Sequence, residues 1–477
     1  MRSWFLIALI CCSCSAISQT QTAEKIFYAP PYLQIGSKPS ESFLELLWQC
    51  TDSTGSWSVE YKNAVNEKWT KAANPSGTTV AIAGIPVHTV FRVSLSGLKA
   101  GGSFFYQLLK NGKEVFSSRA AAPHAANQPF RFAVFGDVGA GTPEAKQIAN
   151  SMYAAKPSMV LIPGDIVYDY GLISEYQTKF WPIYNADKVD AVGVPLMRSI
   201  PFVAAVGNHD ADTRDLDKHP DALAYYHYWD QPLNGPEGKE GGAFVPQLNG
   251  SNANKKAFYN AAGNRYPRMA NFSFNYGNAH YIILDADTYV DWTDAALTEW
   301  LTKDLEAAQN STWRFVVFHH PGFNSSREHF EQQQMRLLAP LFEKGKVDIV
   351  FCGHVHNYQR SFPMHFKPDN KGTVLVGGKD NKTMRGRVVN GIWTLDKKFD
   401  GKNNTSPNGV IYIVTGAGGQ ELYNPEQQDD PESWQKFTNK FISKIHSFTV
   451  VDINGTSLKL TQQDAKGNAL DTFEIKK

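Results

Sequence analysis

The stretch Phe130-Arg131-Phe132-Ala133-Val134-Phe135-Gly136-Asp137-Val138-Gly139 decides the fold. An apolar run stops at a glycine, and a carboxylate follows at once. The same grammar returns further along the chain. Met159 to Pro163 leads into Gly164-Asp165-Ile166-Val167-Tyr168, and Phe202 to Val206 into Gly207-Asn208-His209-Asp210. Arg314 to Phe318 leads into His319-His320-Pro321, and Val347 to Phe351 into Gly353-His354-Val355-His356. Short apolar runs bounded by turn residues read as strands buried on both faces, as in parallel sheets. His280 to Leu284 reads as one more strand. Pro143 to Tyr153, with Pro143 in the first turn, reads as a helix, and Ala295 to Gln309 and Glu331 to Phe342 as amphipathic helices. Strand and helix alternating in this way predict an α/β unit. Its parallel strands end on one edge, where ligands bind. The polar clusters, far apart in sequence, are therefore expected to meet.

Each cluster has a chemical reason. A glycine permits a sharp turn off the strand and lets the next side chain enter a crowded centre. Asp, Asn, His and Tyr form an oxygen- and nitrogen-rich set suited to iron, zinc or manganese. Taken singly, Asp137 reads as well as a helix N-cap, and Asn208 as a turn former. His354 and His356 read as well as exposed loop histidines. It is the whole set, each member after a strand, that points to metal chemistry. Cys50 and Cys352 fall in no cluster as ligands, so a zinc–thiolate site is not expected. They read as two free buried thiols. His88, His124, His219, His280, His365 and His446 have no such company and read as surface or satisfied core residues. His227, within Tyr225-Tyr226-His227-Tyr228-Trp229, reads either as an aromatic wall near the mouth of the site or as local packing.

Outward from this centre the grammar changes. From Phe27 to about Arg119, short alternating runs are punctuated by Gly55, Gly97, Gly101-Gly102 and Asn111-Gly112, which predicts a β-sandwich. Ala120 to Gln128 reads as a linker. The chain end returns to β structure, with Ser447 to Ile453 and Ser457 to Gln462 around the Asn454-Gly455 turn. Two long insertions separate the clusters. One lies between Asp210 and Phe272. The other lies between Arg360 and Gly409 and is basic at Lys367, Lys371, Lys379, Lys382, Arg385 and Arg387. Loops of that length are usually functional or disordered, and both are expected to frame a substrate.

At 477 residues the chain exceeds a single core, and its net charge of +1 argues against a nucleic-acid-coating surface. Arg2, the apolar stretch Trp4 to Cys12 and the small residues Ala16-Ile17-Ser18 read as an export signal over residues 1–18. Cys14 is the best placed of Cys11, Cys12 and Cys14 for lipidation, though the residues before it fit a lipoprotein signal poorly. The expected location is secreted, periplasmic or cell-envelope, with no transmembrane segment.

Together the five clusters resemble the signature of the calcineurin-like metallophosphoesterases. Tyr168, three residues after Asp165, narrows the resemblance to the purple acid phosphatases. It extends to Val347-Asp348-Ile349-Val350, to Tyr358 and Arg360, and to Phe272 through Leu284. The Leu98-Lys99-Ala100-Gly101 turn resembles the fibronectin type III-like domain that precedes the catalytic unit in that family. The resemblance implies such a domain over 24–120, a catalytic domain over 129–440 and a C-terminal β segment over 441–477 that completes it. The catalytic fold implied is a metallophosphoesterase β-sandwich flanked by helices, with a βαβαβ core. Asp137, Asp165, Tyr168 and His356 would hold a ferric ion. Asp165, Asn208, His319 and His354 would hold a divalent ion (zinc, manganese or iron). By the family's His-x-Pro pattern His319 is the ligand, and His320 points away. His209 and His329 would orient the phosphate and protonate the leaving group. The activity implied is hydrolysis of a small phosphate monoester by metal-bound hydroxide, with a phosphodiesterase or nucleotide pyrophosphatase as the alternative. Plant members carry an acidic residue after the second of these histidines. Here that stretch reads Phe330-Glu331-Gln332-Gln333-Gln334.

Overall fold

Two stacked sheets build the unit that carries the clusters, and the reason is visible in their shared faces. In the computed structural model, which describes residues 26–369, 374–377 and 384–477, the first sheet runs in the order Phe202–Ala204, Met159–Ile162, Phe130–Val134, Ser447–Asn454, Ser457–Asp464, Ala469–Lys476. Its first three strands are parallel and the C-terminal three add antiparallel. The second sheet runs Phe272–Tyr276, Ala279–Ile283, Trp313–Phe318, Ile349–Cys352, Ile411–Thr415, Tyr358–Ser361, Thr438–Ile442. Four of these, from Ala279–Ile283 to Ile411–Thr415, are parallel. Phe132 of the first sheet packs against Tyr281 and Phe315 of the second, with ring centroids 5.6 and 5.4 Å apart. Alternate residues Ala133, Val160, Ile282 and Val316 turn to the helices instead. The central parallel strands, such as Met159–Ile162, Trp313–Phe318 and Ile349–Cys352, are thus buried on both faces, which is why they read as apolar runs.

The helices follow their local signals. Thr142 caps Pro143–Ala155, its hydroxyl accepting from the Ala145 amide at 3.1 Å, and Asp294 caps Ala295–Ala307. The helix expected over Glu331 to Phe342 does not form. Gln334–Leu338 is a 3-10 turn, and a short α-helix covers only Ala339–Lys344. Pro340 lacks an amide hydrogen, so it fits the first turn of a helix but not its interior.

The N-terminal region is a sandwich of two four-stranded sheets. It does not hang on a free linker. Ala121 donates to the Ser199 carbonyl at 2.9 Å, and the Pro123 carbonyl accepts from Gly101 at 2.7 Å. Arg92 reaches across to Asp230 at 3.2 Å and to the His227 carbonyl at 2.9 Å. Tyr32, Val80 and Val90 share one buried cluster with Trp181 and Tyr228. The insertion before Phe272 folds into this junction, because its Asn252–Ala262 helix packs on the sandwich strand Ser76–Val80. His227 is fully buried there with neither ring nitrogen hydrogen-bonded, and burial followed by Arg265 pushes its pKa down to about 3. It is packing, not a wall of the site.

The export signal, with Cys11, Cys12 and Cys14, lies outside the described residues, as do Lys371, Lys379 and Lys382. Among the described residues no helix is long and apolar enough to cross a membrane. Cys50 and Cys352 are free and buried.

Candidate metal centre

The strand ends bring their polar clusters together by hydrogen-bonding to one another. Asp137 donates its amide to the Gly164 carbonyl, Val138 to Asp165 and Gly353 to His319. The sharp turns fall on the functional residues themselves. Asp137, Asp165 and His354 take φ of +62°, +52° and +68°, and His329 takes +57°. Non-glycine residues held in this region cost of order 1–3 kcal/mol each and cluster at functional sites. The glycines mostly serve another purpose, which corrects their reading as turn formers. Gly207 has φ −110°, an ordinary value. A Cβ there would sit 2.2 Å from Asp165 Oδ1, and one on Gly353 would sit 2.9 Å from Asp137 Oδ2. Only Gly164, at φ +86°, needs the left-handed region as well, and a Cβ there would meet His319 Nδ1 at 2.5 Å. Gly207→Ala is therefore expected to displace the Asp165 carboxylate and lower metal retention while the protein still folds. Elemental analysis beside a melting curve checks this, and unchanged metal content shows that the carboxylate has room to move.

Asp137, Asp165 and His319 offer ligand atoms within 4.8 Å of one another, all buried. Tyr168 donates its hydroxyl to Asp137 Oδ1 at 2.9 Å and lies 3.3 Å from His356 Nε2. His356 Nε2 is 3.4 Å from Asp137 Oδ1. On the other side, His319 Nε2 is 3.2 Å from Asp165 Oδ1 and 3.1 Å from Asn208 Oδ1. The His354 ring stands 4.9 Å from that of His319. So the seven expected ligands form one connected group.

The protonation of these rings decides what the group is for. His319 Nδ1 lies 2.8 Å from the Pro163 carbonyl, and His356 Nδ1 lies 2.8 Å from the Glu421 carbonyl. A carbonyl only accepts, so each Nδ1 carries the hydrogen and each neutral ring turns a lone pair on Nε2 toward the centre. There the His319 lone pair faces Asp165 and Asn208 oxygens and that of His356 faces an Asp137 oxygen, and these oxygens only accept. Acceptors converging on acceptors repel unless a cation lies between them. Without a metal a proton takes that place. Burial opposes charge on His319, yet Asp165, with a further contribution from Asp137, lifts its pKa to about 10. Burial would raise Asp165, yet His319 and His209 draw it well below the ordinary carboxylate range. Tyr168 moves the other way: burial, then Asp137 and Asp165, hold its phenol protonated well above the usual value. The donor set fits metal ions.

His209 and His329 flank the group. The His209 ring lies 4.4 Å from that of Tyr168, and its Nδ1 donates to the Asp169 carbonyl at 2.7 Å. Its Nε2 is 4.0 Å from Asp165 Oδ2, and one third of the side chain is exposed. Burial works against its protonation, but Asp165 and the Asp169 carbonyl together raise its pKa. The His329 ring lies 4.0 Å from that of His354, tilted by 40°, and burial, then His356 and His319, lower its pKa to about 4. His320 does not point away altogether: its ring lies 4.1 Å from His354, and its Nε2 is 3.9 Å from Asp287. His280 is paired with Asp304 and His88 with Tyr228, away from the centre. Sequence reasoning missed Gln332, whose Oε1 lies 2.5 Å from His354 Nε2. The only signal was its nearness to His329. It also missed Asp471, which binds Arg360 at 2.6 and 3.0 Å and Tyr358 at 2.8 Å. Those bonds tie the strand Ala469–Lys476 of one sheet to Tyr358–Ser361 of the other.

The candidate ligand group lies at the carboxyl ends of parallel strands in a two-sheet sandwich. The family model for calcineurin-like phosphoesterases matches residues 130–358, and one described as iron/zinc purple acid phosphatase-like protein C matches 409–472. The chain thus carries a calcineurin-like phosphoesterase domain over 130–358 and a purple acid phosphatase-like C-terminal domain over 409–472. It is 24% identical over 371 residues to purple acid phosphatase 23 of Arabidopsis thaliana, covering 72% of this chain and 65% of that protein. It is 27% identical over 282 residues to purple acid phosphatase 1 of Ipomoea batatas, covering 57% and 52%. The chain thus spans less than two thirds of the length of these two relatives. The structure of purple acid phosphatase PPD1 from yellow lupin (Lupinus luteus) seeds shares the fold, with TM-score 0.62 and 18% identity over 94% of this chain and 74% of that one.

Proposed function

We propose that the chain hydrolyses phosphate monoesters at a pair of metal ions, as an acid phosphatase. Family likeness alone does not carry this, since one 24% identical relative is named a probable inactive purple acid phosphatase. The observation that carries it is the convergence of lone pairs, with His319 and His356 each fixed by a backbone carbonyl behind the ring. In this reading Asp137, Asp165, Tyr168 and His356 hold a ferric ion, and Asp165, Asn208, His319 and His354 hold a divalent one. A phenolate and carboxylates suit a hard trivalent ion, and imidazoles with an amide suit a divalent one. The C-terminal family model's description names iron and zinc, in agreement. Two such ions, when bound, make a water acidic enough to attack near neutral pH and offset charge on the phosphoryl oxygens. The chain's own part is to hold them, to orient the ester and to move protons through His209 and His329. We read residues 1–18 as the export signal that places this activity outside the cytoplasm. The β-sandwich over 24–120 is read as fibronectin type III-like, and the two insertions as framing the substrate.

The test is elemental analysis with turnover on monoester and diester panels. Two metals and a monoester preference are expected. A diester or pyrophosphate preference overturns the phosphatase reading, and a metal-free, inert protein overturns the whole of it. Tyr168 gives a sharper check. Its buried phenol must lose a proton to ligate iron, so binding should release protons and create a visible ferric–phenolate band. Tyr168→Phe is expected to abolish the band. A colourless, iron-free wild type at full activity shows the ferric assignment to be wrong.

A further inference from the structure

Of the three imidazoles in the proposed ligand set, His354 is held differently. His319 and His356 are fixed from behind by backbone carbonyls on Nδ1. His354 instead meets a side-chain amide, Gln332 Oε1, through Nε2 at 2.5 Å. The same short turn touches the ring twice. Gln332 donates its amide hydrogen to the His329 carbonyl at 3.1 Å, closing the turn, and the His329 ring packs against His354 with centroids 4.0 Å apart. The next residue fastens the turn. Gln333 Nε2 donates to the Phe330 carbonyl at 2.9 Å, and its Oε1 accepts from the Val389 amide at 3.1 Å.

We propose that Gln332 is a positioning residue that sets the tautomer of His354. When the amide oxygen faces the ring, Nε2 must carry the hydrogen, and Nδ1 keeps the lone pair a metal ion requires. If the amide turned its NH2 to the ring, Nε2 would accept and Nδ1 would be protonated, closing the ligand. A backbone carbonyl cannot make that exchange, and a glutamine can. The divalent position therefore has one imidazole whose tautomer depends on a side chain, whereas the imidazole of the ferric position is fixed by a backbone carbonyl. This inference rests on the proposed metal-centre reading.

The experiment measures metal affinity of the whole protein by chelator competition, without reference to activity. Loss of a partner that orients a metal-binding histidine typically costs about 10–100-fold in affinity. Gln332→Leu is expected to weaken one ion by that factor and to leave the other unchanged, with the melting curve of the metal-free protein unaltered. Gln332→Glu, which can only accept at neutral pH, is expected to bind at least as tightly as wild type. In the metal-free protein, nitrogen-15 NMR of labelled histidine should show His354 protonated on Nε2, and Gln332→Leu should lose that preference. Unchanged affinity in Gln332→Leu overturns the inference. So does equal weakening of both ions, or a Gln332→Glu variant as weak as the leucine. A wild-type protein that binds no pair of metals instead overturns the metal-centre reading itself.

Discussion

Asp165→Asn is expected to empty both metal positions and abolish turnover, a larger loss than any other single change in the centre. Asp165 is buried, and its two oxygens face different neighbours: Oδ1 lies 3.2 Å from His319 Nε2 and 3.0 Å from the His209 amide, while Oδ2 lies toward the His209 ring. A carboxylate so placed can bridge two cations, and an amide cannot supply its charge. The cost should exceed the about 10–100-fold that follows loss of a merely supporting partner. Asn208→Ala, which removes one neutral ligand beside His319 at 3.1 Å, should empty mainly the divalent position. Elemental analysis separates the two variants. Two tightly held metals in Asp165→Asn would end the bridging role. The metal-free protein offers an independent readout. The folded His319 has its pKa raised to about 10, above the ordinary histidine value of about 6.5. Its stabilising contribution is therefore complete below about 6.5 and is lost as pH rises through about 10. Asp165 is shifted downward, so its side of the same pair fades as pH falls below the ordinary carboxylate range. Metal-free wild type should then be less stable at alkaline pH, by chemical denaturation at several pH values. Metal-free Asp165→Asn should show a flatter profile.

What could be read from sequence divides along a physical line. Strands buried on both faces print themselves as continuous apolar runs, so Phe130–Val134 and Trp313–Phe318 were legible, and with them the edge where their ends converge. The convergence of Asp137, Asp165 and His319 followed from topology alone. Partnerships set by tertiary packing leave no periodic trace. Nothing near Arg360 points to Asp471, and nothing near Ala121 points to Ser199. The turn around Gln332 was hidden for a related reason: its polar residues bond to His354 and Val389 rather than along a helix. The glycines show a subtler limit. Their positions were plain, but whether each serves a turn or a close approach is settled by what lies 2–3 Å from the missing Cβ. For Gly207 that is Asp165, which belongs to a different strand end.

Loss of His209 or His329 is expected to depend on the leaving group. An alkyl phosphate releases an alkoxide that must gain a proton, whereas a nitrophenolate departs without one. Removing a general acid typically costs about 10²–10⁴-fold. If either histidine is that acid, its alanine variant should lose this much on alkyl phosphates and far less on aryl phosphates, with both metals retained. The geometry separates the two candidates. His209 has its Nδ1 committed to the Asp169 carbonyl, lies over Tyr168 and is one third exposed, and Asp165 helps to raise its pKa. It can carry a proton on Nε2 to solvent-facing substrate. His329 packs against the His354 ring, and burial with two neighbouring histidines lowers its pKa to about 4. It is the poorer proton donor near neutrality and the better support for His354. His209→Ala should therefore show the larger discrimination between alkyl and aryl substrates. His329→Ala should show a more even loss, with weaker retention of the divalent ion. Steady-state kinetics on a series of leaving groups, run beside metal analysis, distinguishes the roles. Equal losses across the series for His209→Ala would assign it to phosphate positioning. A steeper dependence for His329→Ala than for His209→Ala would reverse the assignment.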